Sequence, residues 1–561
     1  MDTDALARPP FNLSAADIKW VRRTRDGLGM EEKVRQLFVL AHFRDLPAEV
    51  PAVMATRPGG VHRAWGADAR QAWLTTRAVL EQSEIPPLIT GDLEGGGYGN
   101  VCGTPLPNPM GVSAMHDLAL SREVARTLAI ESRAMGFDWS FTPVIDINQR
   151  PESPIVGTRS YGDEPDTIAR QALVHVQEMQ ARGLACTAKH WPGEGHDPRD
   201  QHLLTTVNPL GWEDWSARFG RLYQGLIDAG VLAVMTGHIA FPAGVQRLNP
   251  QAGRNAWRPA SVSHELNTLL LRRDLGFNGI VVSDATAMAG LTTWAERAEL
   301  VPQVIENGCD VFLFSLDAQA DLDLMLRGLR EGRLSERRVE EAVTRVLALK
   351  ARLGLHRRSV DERLRPLDEV LQHLRTPAHV DVAERAAAAS VTLVKDLGVL
   401  PLTPQRHRRV VVVSPGIETH WVDSQPRPLQ ELLSGLAERG FEPRPFDPAA
   451  MPTPADTDLV LYLLAKESMF ARGRVFLDWM QLHGNDPRKA MRRFWTDIPT
   501  LLVSFGHAGY LLDAPRLPAC VNAYTATEPT QRAVLRKLLG EEPFTGRSPI
   551  DAFCGQLEAR W

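Results

Sequence analysis

A chain of 561 residues is longer than one ordinary hydrophobic core serves, and the length points to two large units. Apolar residues make up 44% and charged residues 23%, which excludes a disordered or membrane-embedded chain. With 63 Lys and Arg against 68 Asp and Glu, the net charge of -5 gives no general attraction for nucleic acid or anionic lipid, so neither is expected as a partner.

The opening stretch, MDTDALARPPFNLSAADIKW, has acids where a signal peptide needs bases and lacks its apolar run, which predicts a cytoplasmic protein. Eight short apolar runs follow between residues 30 and 320: VRQLFVL (34–40), GGVHR (59–63), PLIT (87–90), WSFTPVID (139–146), ACTAKH (185–190), LAVMTGHIAF (232–241), GIVVSDA (279–285) and DVFLFS (310–315). They alternate with segments of helical period at 67–83, 121–135, 166–183 and 262–276. Strands buried on both faces and separated by helices imply a parallel sheet, and eight such units in this length predict an α/β fold of the (β/α)₈ barrel type, with a doubly wound open sheet as the alternative. The barrel is expected over 10–350, a helical linker over 351–395 and an α/β sandwich over 396–561. The sandwich strands are expected at 410–414, 459–465, 500–506 and 521–525 in a small, mainly parallel sheet. The five cysteines are scattered and contain no Cys-x-x-Cys pair, which indicates buried small hydrophobes rather than disulfides or a thiolate metal site.

Polar residues cluster at the C-terminal ends of the barrel runs: Asp92, Glu94, Asp146, Lys189, His190, His238 and Asp284. All strand C-termini of a parallel barrel open on one face, so these distant positions converge on one rim. The densest segment is AKHWPGEGHDPRDQHLL, where Lys189 and His190 close a strand and a Gly/Pro loop carries Glu194, His196, Asp197, Asp200 and His202.

Lys-His-x-Pro-Gly-x-Gly followed after four residues by Asp-x-His, running from Lys189 to His202, resembles the signature of the family-3 glycoside hydrolases that act as β-N-acetylglucosaminidases. Further segments are similar along most of the chain: DLEGG (92–96), FTPVIDIN (141–148), SPIVGTRSYGDEP (153–165), VMTGHIAFP (234–242) and VVSDATAMAG (281–290). SVTLVKDLGVLPL (390–402) and GRSPID (546–551) resemble the two-domain members. The resemblance implies a retaining exo-β-N-acetylhexosaminidase with Asp284 as nucleophile, His202 as acid/base oriented by Asp200, and substrate binding by Asp92, Arg159, Lys189, His190, Glu194 and His238. No cofactor and no metal is implied, and the expected partner is a small carbohydrate substrate.

The chemistry agrees with that assignment. Retaining glycoside hydrolysis needs one group to attack the anomeric carbon and another to protonate the departing oxygen and later deprotonate water. A carboxylate with an ordinary pKa near 3.9 is ionised at neutral pH, and an imidazole, ordinarily near 6.5, can serve as acid or base there. A carboxylate two residues away can fix the imidazole tautomer. Glu94, Asp146 and Glu131 read as supporting hydrogen-bond or turn residues. His238 either lines the rim or packs as a core histidine.

Two departures bear on the sugar. The family's usual Pro-Gly-His-Gly is here Pro192-Gly193-Glu194-Gly195, and the Arg common after Glu-Gly-Gly is Gly97. Gln201 stands where Ser or Thr is common. A β-glucosidase, or a phosphorylase using the same intermediate, is therefore an alternative, as is a non-catalytic sugar-binding protein. A metal-dependent hydrolase is disfavoured because no standard ligand spacing occurs and Pro192 and Pro198 break any helix presenting two ligands. The glycines at 95–97 and 99 do not match G-x-G-x-x-G and read as a tight rim loop.

Overall fold

The computed structural model describes residues 3–64, 66–97, 102–418 and 428–561; Met1, Asp2 and Gly99 thus lie outside the described residues. Ten strands form in the first part of the chain: β1 (Phe38–His42), β2 (Gly60–Arg63), β3 (Leu88–Gly91), β4 (Trp139–Ser140), β5 (Thr187–Trp191), β6 (Thr206–Val207), β7 (Ala233–Thr236), β8 (Ile239–Ala240), β9 (Ile280–Ala285) and β10 (Val311–Leu313). Eight of them make one parallel sheet in the order β4-β3-β2-β1-β10-β9-β7-β5, and β6 pairs with β8 separately. Bridges Trp139–Ala185 and Val144–Lys189 join the outer strands β4 and β5, giving the expected (β/α)₈ barrel. β2, β3, β5, β7 and β10 are buried throughout, as strands covered on both faces must be.

Each expected strand is present, several of them shorter than the apolar run. Of WSFTPVID only Trp139 and Ser140 form a regular strand, and beyond them Val144 makes an isolated bridge to Lys189. In VRQLFVL the strand begins at Phe38, since the preceding helix Met30–Arg35 takes the first residues. The flanking helices start where side chains can satisfy free amides: the Asp68 carboxylate accepts from Arg70 and Gln71 N–H, and Asp117 does the same for Ala119 and Leu120.

Two buried carboxylates stand at the N-terminal end of the barrel. Asp138, just before β4, accepts from the Ile89 amide (3.1 Å), Arg133 (2.8 Å) and Arg363 (2.6 Å). Asp310, just before β10, accepts from the Val281 amide (2.9 Å), Arg272 (2.5 Å) and Arg338 (2.7 Å). Arg338 comes from the helix Glu336–Arg352 and Arg363 from the helix Val360–Arg363, so the segment after the last strand folds back under the barrel.

A second sheet contains β11 (Thr392–Asp396), β12 (Arg409–Glu418), β13 (Glu442–Pro445), β14 (Leu459–Lys466), β15 (Thr500–Ser504) and β16 (Ala519–Asn522), in the order β11-β16-β15-β14-β12-β13. All pairs are parallel except β11 with β16. The four sandwich strands expected from sequence are there. Two more were hidden: β13 has two prolines, tolerable because it is an edge strand, and β11 is only partly buried, so its apolar run is broken. Cys186, Cys309 and Cys520 are buried, Cys102 and Cys554 half-buried, and none of the five is in a disulfide among the described residues. Among the described residues no helix is long and apolar enough to cross a membrane.

Candidate active site

The loop after β5 is shaped by two glycines that no other residue could replace without movement. Gly193 has φ +114° and a Cβ there would lie 2.2 Å from the Phe219 ring; Gly195 has φ +109° and its Cβ would lie 1.9 Å from the Ile147 carbonyl oxygen. Trp215 Nε1 and Asn208 Nδ2 donate to the Pro192 and Gly193 carbonyls, at 2.8 and 3.0 Å, fixing the loop against the aromatic core. The loop then delivers Glu194, Asp200 and His202 to the same rim as the ends of β3 and β9.

Three layers of interaction result. In the first, Lys189 Nζ donates to Asp92 (2.8 Å) and lies 2.9 Å from Glu94, while Arg159 grips Glu94 with two bonds of 2.9 and 2.8 Å. Bidentate, charge-assisted pairs of this kind fix geometry as well as charge. The Asp92 side chain is 38% exposed and Lys189 2%, so the carboxylate faces the cleft and the ammonium supports it from below. Burial would raise both acids, but their partners outweigh it: Lys189 first and then His62 hold Asp92 low, and Arg159 and Lys189 hold Glu94 low. The same acids overcome the desolvation of Lys189 and raise it.

In the second layer, His190 Nδ1 is 2.6 Å from Asp146, which also accepts the His190 and Glu194 amides at 3.1 and 2.9 Å. His190 Nε2 thereby points to Asp284, 4.0 Å away. Asp284 is the last residue but one of β9, and its side chain is 15% exposed. Its carboxylate accepts its neighbour's amide, Ala285 N–H, at 2.7 Å, and among the described residues no ammonium or guanidinium group is bonded to it. Burial pushes this carboxyl up, yet the imidazoles of His190, His238 and His202 more than offset that and hold it below its ordinary value. An ionised, partly open carboxylate without a fixed cation can act as a nucleophile.

The third layer is the dyad. Asp200 Oδ1 accepts from the His202 amide (2.8 Å) and is 2.7 Å from His202 Nδ1, leaving Nε2 as the outward atom. Asp200 is fully buried and the His202 side chain 20% exposed. Desolvation would raise Asp200, but its hydrogen bonds with His202 keep it low.

Glu194 and His238 lie beneath the cleft. Glu194 accepts from Gln201 (3.0 Å) and Thr206 (3.3 Å); burial first, then Asp146, Asp200 and Asp284, raises its carboxyl well above the ordinary value. His238 is completely buried with Nδ1 at 2.8 Å from Ser261 and Nε2 at 2.9 Å from the Ala285 carbonyl, and its amide donates to Gln201. Both ring nitrogens being used, His238 braces the strand end under Asp284, which is the core-histidine alternative. Glu131 accepts from Thr104 and from the Arg375 amide, away from the rim. Asp146, His190 and Glu194 bring one ligand atom each within 4.8 Å of the others. These atoms are already hydrogen-bond partners of one another or of Gln201 and Thr206, so the trio is a buried hydrogen-bond network.

Sequence reasoning passed over His62, which is buried, stacked on Phe141 and 3.6 Å from Asp92. Its position at the end of the apolar run GGVHR was the available signal. It also passed over a segment of the second domain. The Phe470 ring meets the His202 imidazole edge-on at 4.4 Å, and the Ala471 amide donates to Asp200 Oδ2 at 2.8 Å.

With this geometry in hand, the chain can be compared with known proteins. A profile of the "Glycosyl hydrolase family 3 N terminal domain" matches residues 30–349. A protein of Cellulomonas fimi described as a β-N-acetylglucosaminidase/β-glucosidase is 37% identical over 566 residues, covering 99% of each chain. Among solved structures, a β-glucoside phosphorylase bound to 2FGlc is 34% identical with a TM-score of 0.91, covering 99% of this chain and 100% of its own. A family-3 β-N-acetylglucosaminidase from Paenibacillus shares the fold, with a TM-score of 0.76 at 24% identity over 94% of this chain and 100% of that one.

Proposed function

This chain belongs to the family-3 glycosyl hydrolases, and from that premise we propose that it cleaves terminal β-linked N-acetylglucosaminides and glucosides by double displacement. The observation that carries the reading is one rim holding two differently equipped groups: Asp284, partly open and, among the described residues, bonded to no ammonium or guanidinium group, and His202, with Nδ1 tied to Asp200 and Nε2 outward. In the first step an Asp284 oxygen bonds to the anomeric carbon as the glycosidic C–O bond breaks, and His202 gives its proton to the departing oxygen. In the second, His202 takes a proton from water as the water oxygen bonds to the anomeric carbon and Asp284 leaves. Asp92, supported by Lys189, and His190, supported by Asp146, hold sugar hydroxyls. Two inversions give net retention.

A second acceptor is favoured by a specific feature of this site. After donating its proton His202 is neutral, whereas a carboxylic acid would have become an anion that repels phosphate. The full-length likeness to a β-glucoside phosphorylase supports the same option. The test is to offer paired aryl β-N-acetylglucosaminide and aryl β-glucoside to the purified protein, in phosphate buffer and in a phosphate-free buffer. Free sugar in both buffers identifies a hydrolase, and sugar 1-phosphate confined to the first identifies a phosphorylase. No turnover of either aryl glycoside would overturn the reading.

A further inference from the structure

Among the segments of the second domain that meet the barrel loops, Lys466–Arg472 leaves the C-terminal end of β14 and reaches the dyad. β14 lies beside β12 where the strand order of the second sheet reverses, the place where open α/β sheets present their functional loops. The segment is pinned at its start. The Glu467 carboxylate accepts from Thr525 (2.5 Å), Asn108 (2.8 Å) and the Gly97 amide (3.0 Å), and its backbone carbonyl accepts from Thr158 (2.7 Å). The Met469 amide then donates to the Pro154 carbonyl at 2.9 Å. Phe470 and Ala471 follow, directly over the dyad.

Ala471 has φ +58°, a left-handed conformation that L-residues other than glycine rarely adopt, and this conformation accompanies the donation of its amide to Asp200 Oδ2. Asp200 therefore has one oxygen committed to His202 and the other to the second domain. With both oxygens fixed the carboxylate cannot turn about its own axis, and the Nδ1 bond it makes holds the imidazole in one orientation. Phe470 stands at 90° to that ring and blocks rotation on the side the carboxylate leaves open.

We infer that Phe470 and the Ala471 amide are positioning groups for His202, so that proton transfer in the barrel depends on a segment of the second domain. This rests on the acid/base role proposed for His202. The experiment compares kcat/KM for an aryl glycoside with a good leaving group and an alkyl glycoside with a poor one, since only the latter needs protonation of the departing oxygen. Phe470→Ala is expected to lower kcat/KM for the alkyl glycoside about tenfold and for the aryl glycoside less than about twofold, a fraction of what a general acid contributes. Phe470→Tyr, which keeps the ring, should restore the alkyl rate, and Phe470→Leu replaces the alanine variant if that does not fold. Equal losses on both substrates, or no loss on either, would overturn the inference. His202→Ala is the reference: a disparity on the order of 100-fold with this variant and none with Phe470→Ala sinks the positioning role alone. No disparity with His202→Ala removes the acid role and the inference with it.

Discussion

The buried carboxylates at the N-terminal end of the barrel and the two acids proposed for chemistry at its rim are met by opposite kinds of partner. At the N-terminal end Asp138 and Asp310 are each bonded by two guanidinium groups and a backbone amide. At the C-terminal rim Asp284 and Asp200 are met by imidazoles and amides, and burial with the neighbouring acids raises the Glu194 carboxyl, while Glu94 and Asp92 beside them are held by Arg159 and Lys189. A carboxylate locked between arginines is too well stabilised to react, and it ties the helices beneath the barrel to the strands. One faced by imidazoles keeps its charge while leaving a lone pair for a substrate. Asp284 and Asp200 are thus set apart from the structural carboxylates by their partners, imidazoles and amides in place of guanidinium groups.

That contrast can be tested most severely at the rim. Asp284→Ala should lower turnover by on the order of 10⁴-fold, with an unfolding midpoint that moves far less than in the next variant. A large fall in stability with activity retained would erase the distinction between the ends. Asp310→Asn should do the reverse. It strands Arg272 and Arg338 in a dry site and should cost about 3–5 kcal/mol in urea unfolding, while kcat/KM of the folded protein stays at the parent value. The smallest effect belongs to Glu467, which joins the rim to the second domain. Desolvation pushes its carboxyl up to about 7 from an ordinary 4.5, with Glu94 adding repulsion. A raised carboxyl contributes its stability in full below pH 4.5 and loses it as the pH rises through about 7. Glu467→Gln, which cannot ionise, should therefore gain Tm relative to the parent at pH 8 and not at pH 4.5; the same difference at both would mean that the carboxyl is not perturbed.

Much of this was legible along the chain. The alternation of buried runs with helical segments specified eight barrel strands, because each parallel strand needs a helix to return the chain and cover its face. The Lys189–His202 loop was legible for a different reason: its dyad is local, with Asp200 and His202 two residues apart, and its glycines are forced by contacts with Phe219 and Ile147. His238 shows the limit of such reading. At the end of a strand it looks like a rim residue, and only the partners at both ring nitrogens reveal a brace.

By itself, then, the sequence determined the periodic elements, the family signature and the residue pair of the dyad, all of which depend on neighbours within a few positions. Tertiary structure alone decided which charges are neutralised, that Glu194 lies beneath the cleft, and that Ala471, 271 residues beyond Asp200, completes the carboxylate's bonds. Nothing in the local pattern of KESMFARGR marks that role. A hydrogen bond between distant segments is set by how two sheets dock, and docking leaves no period in the chain.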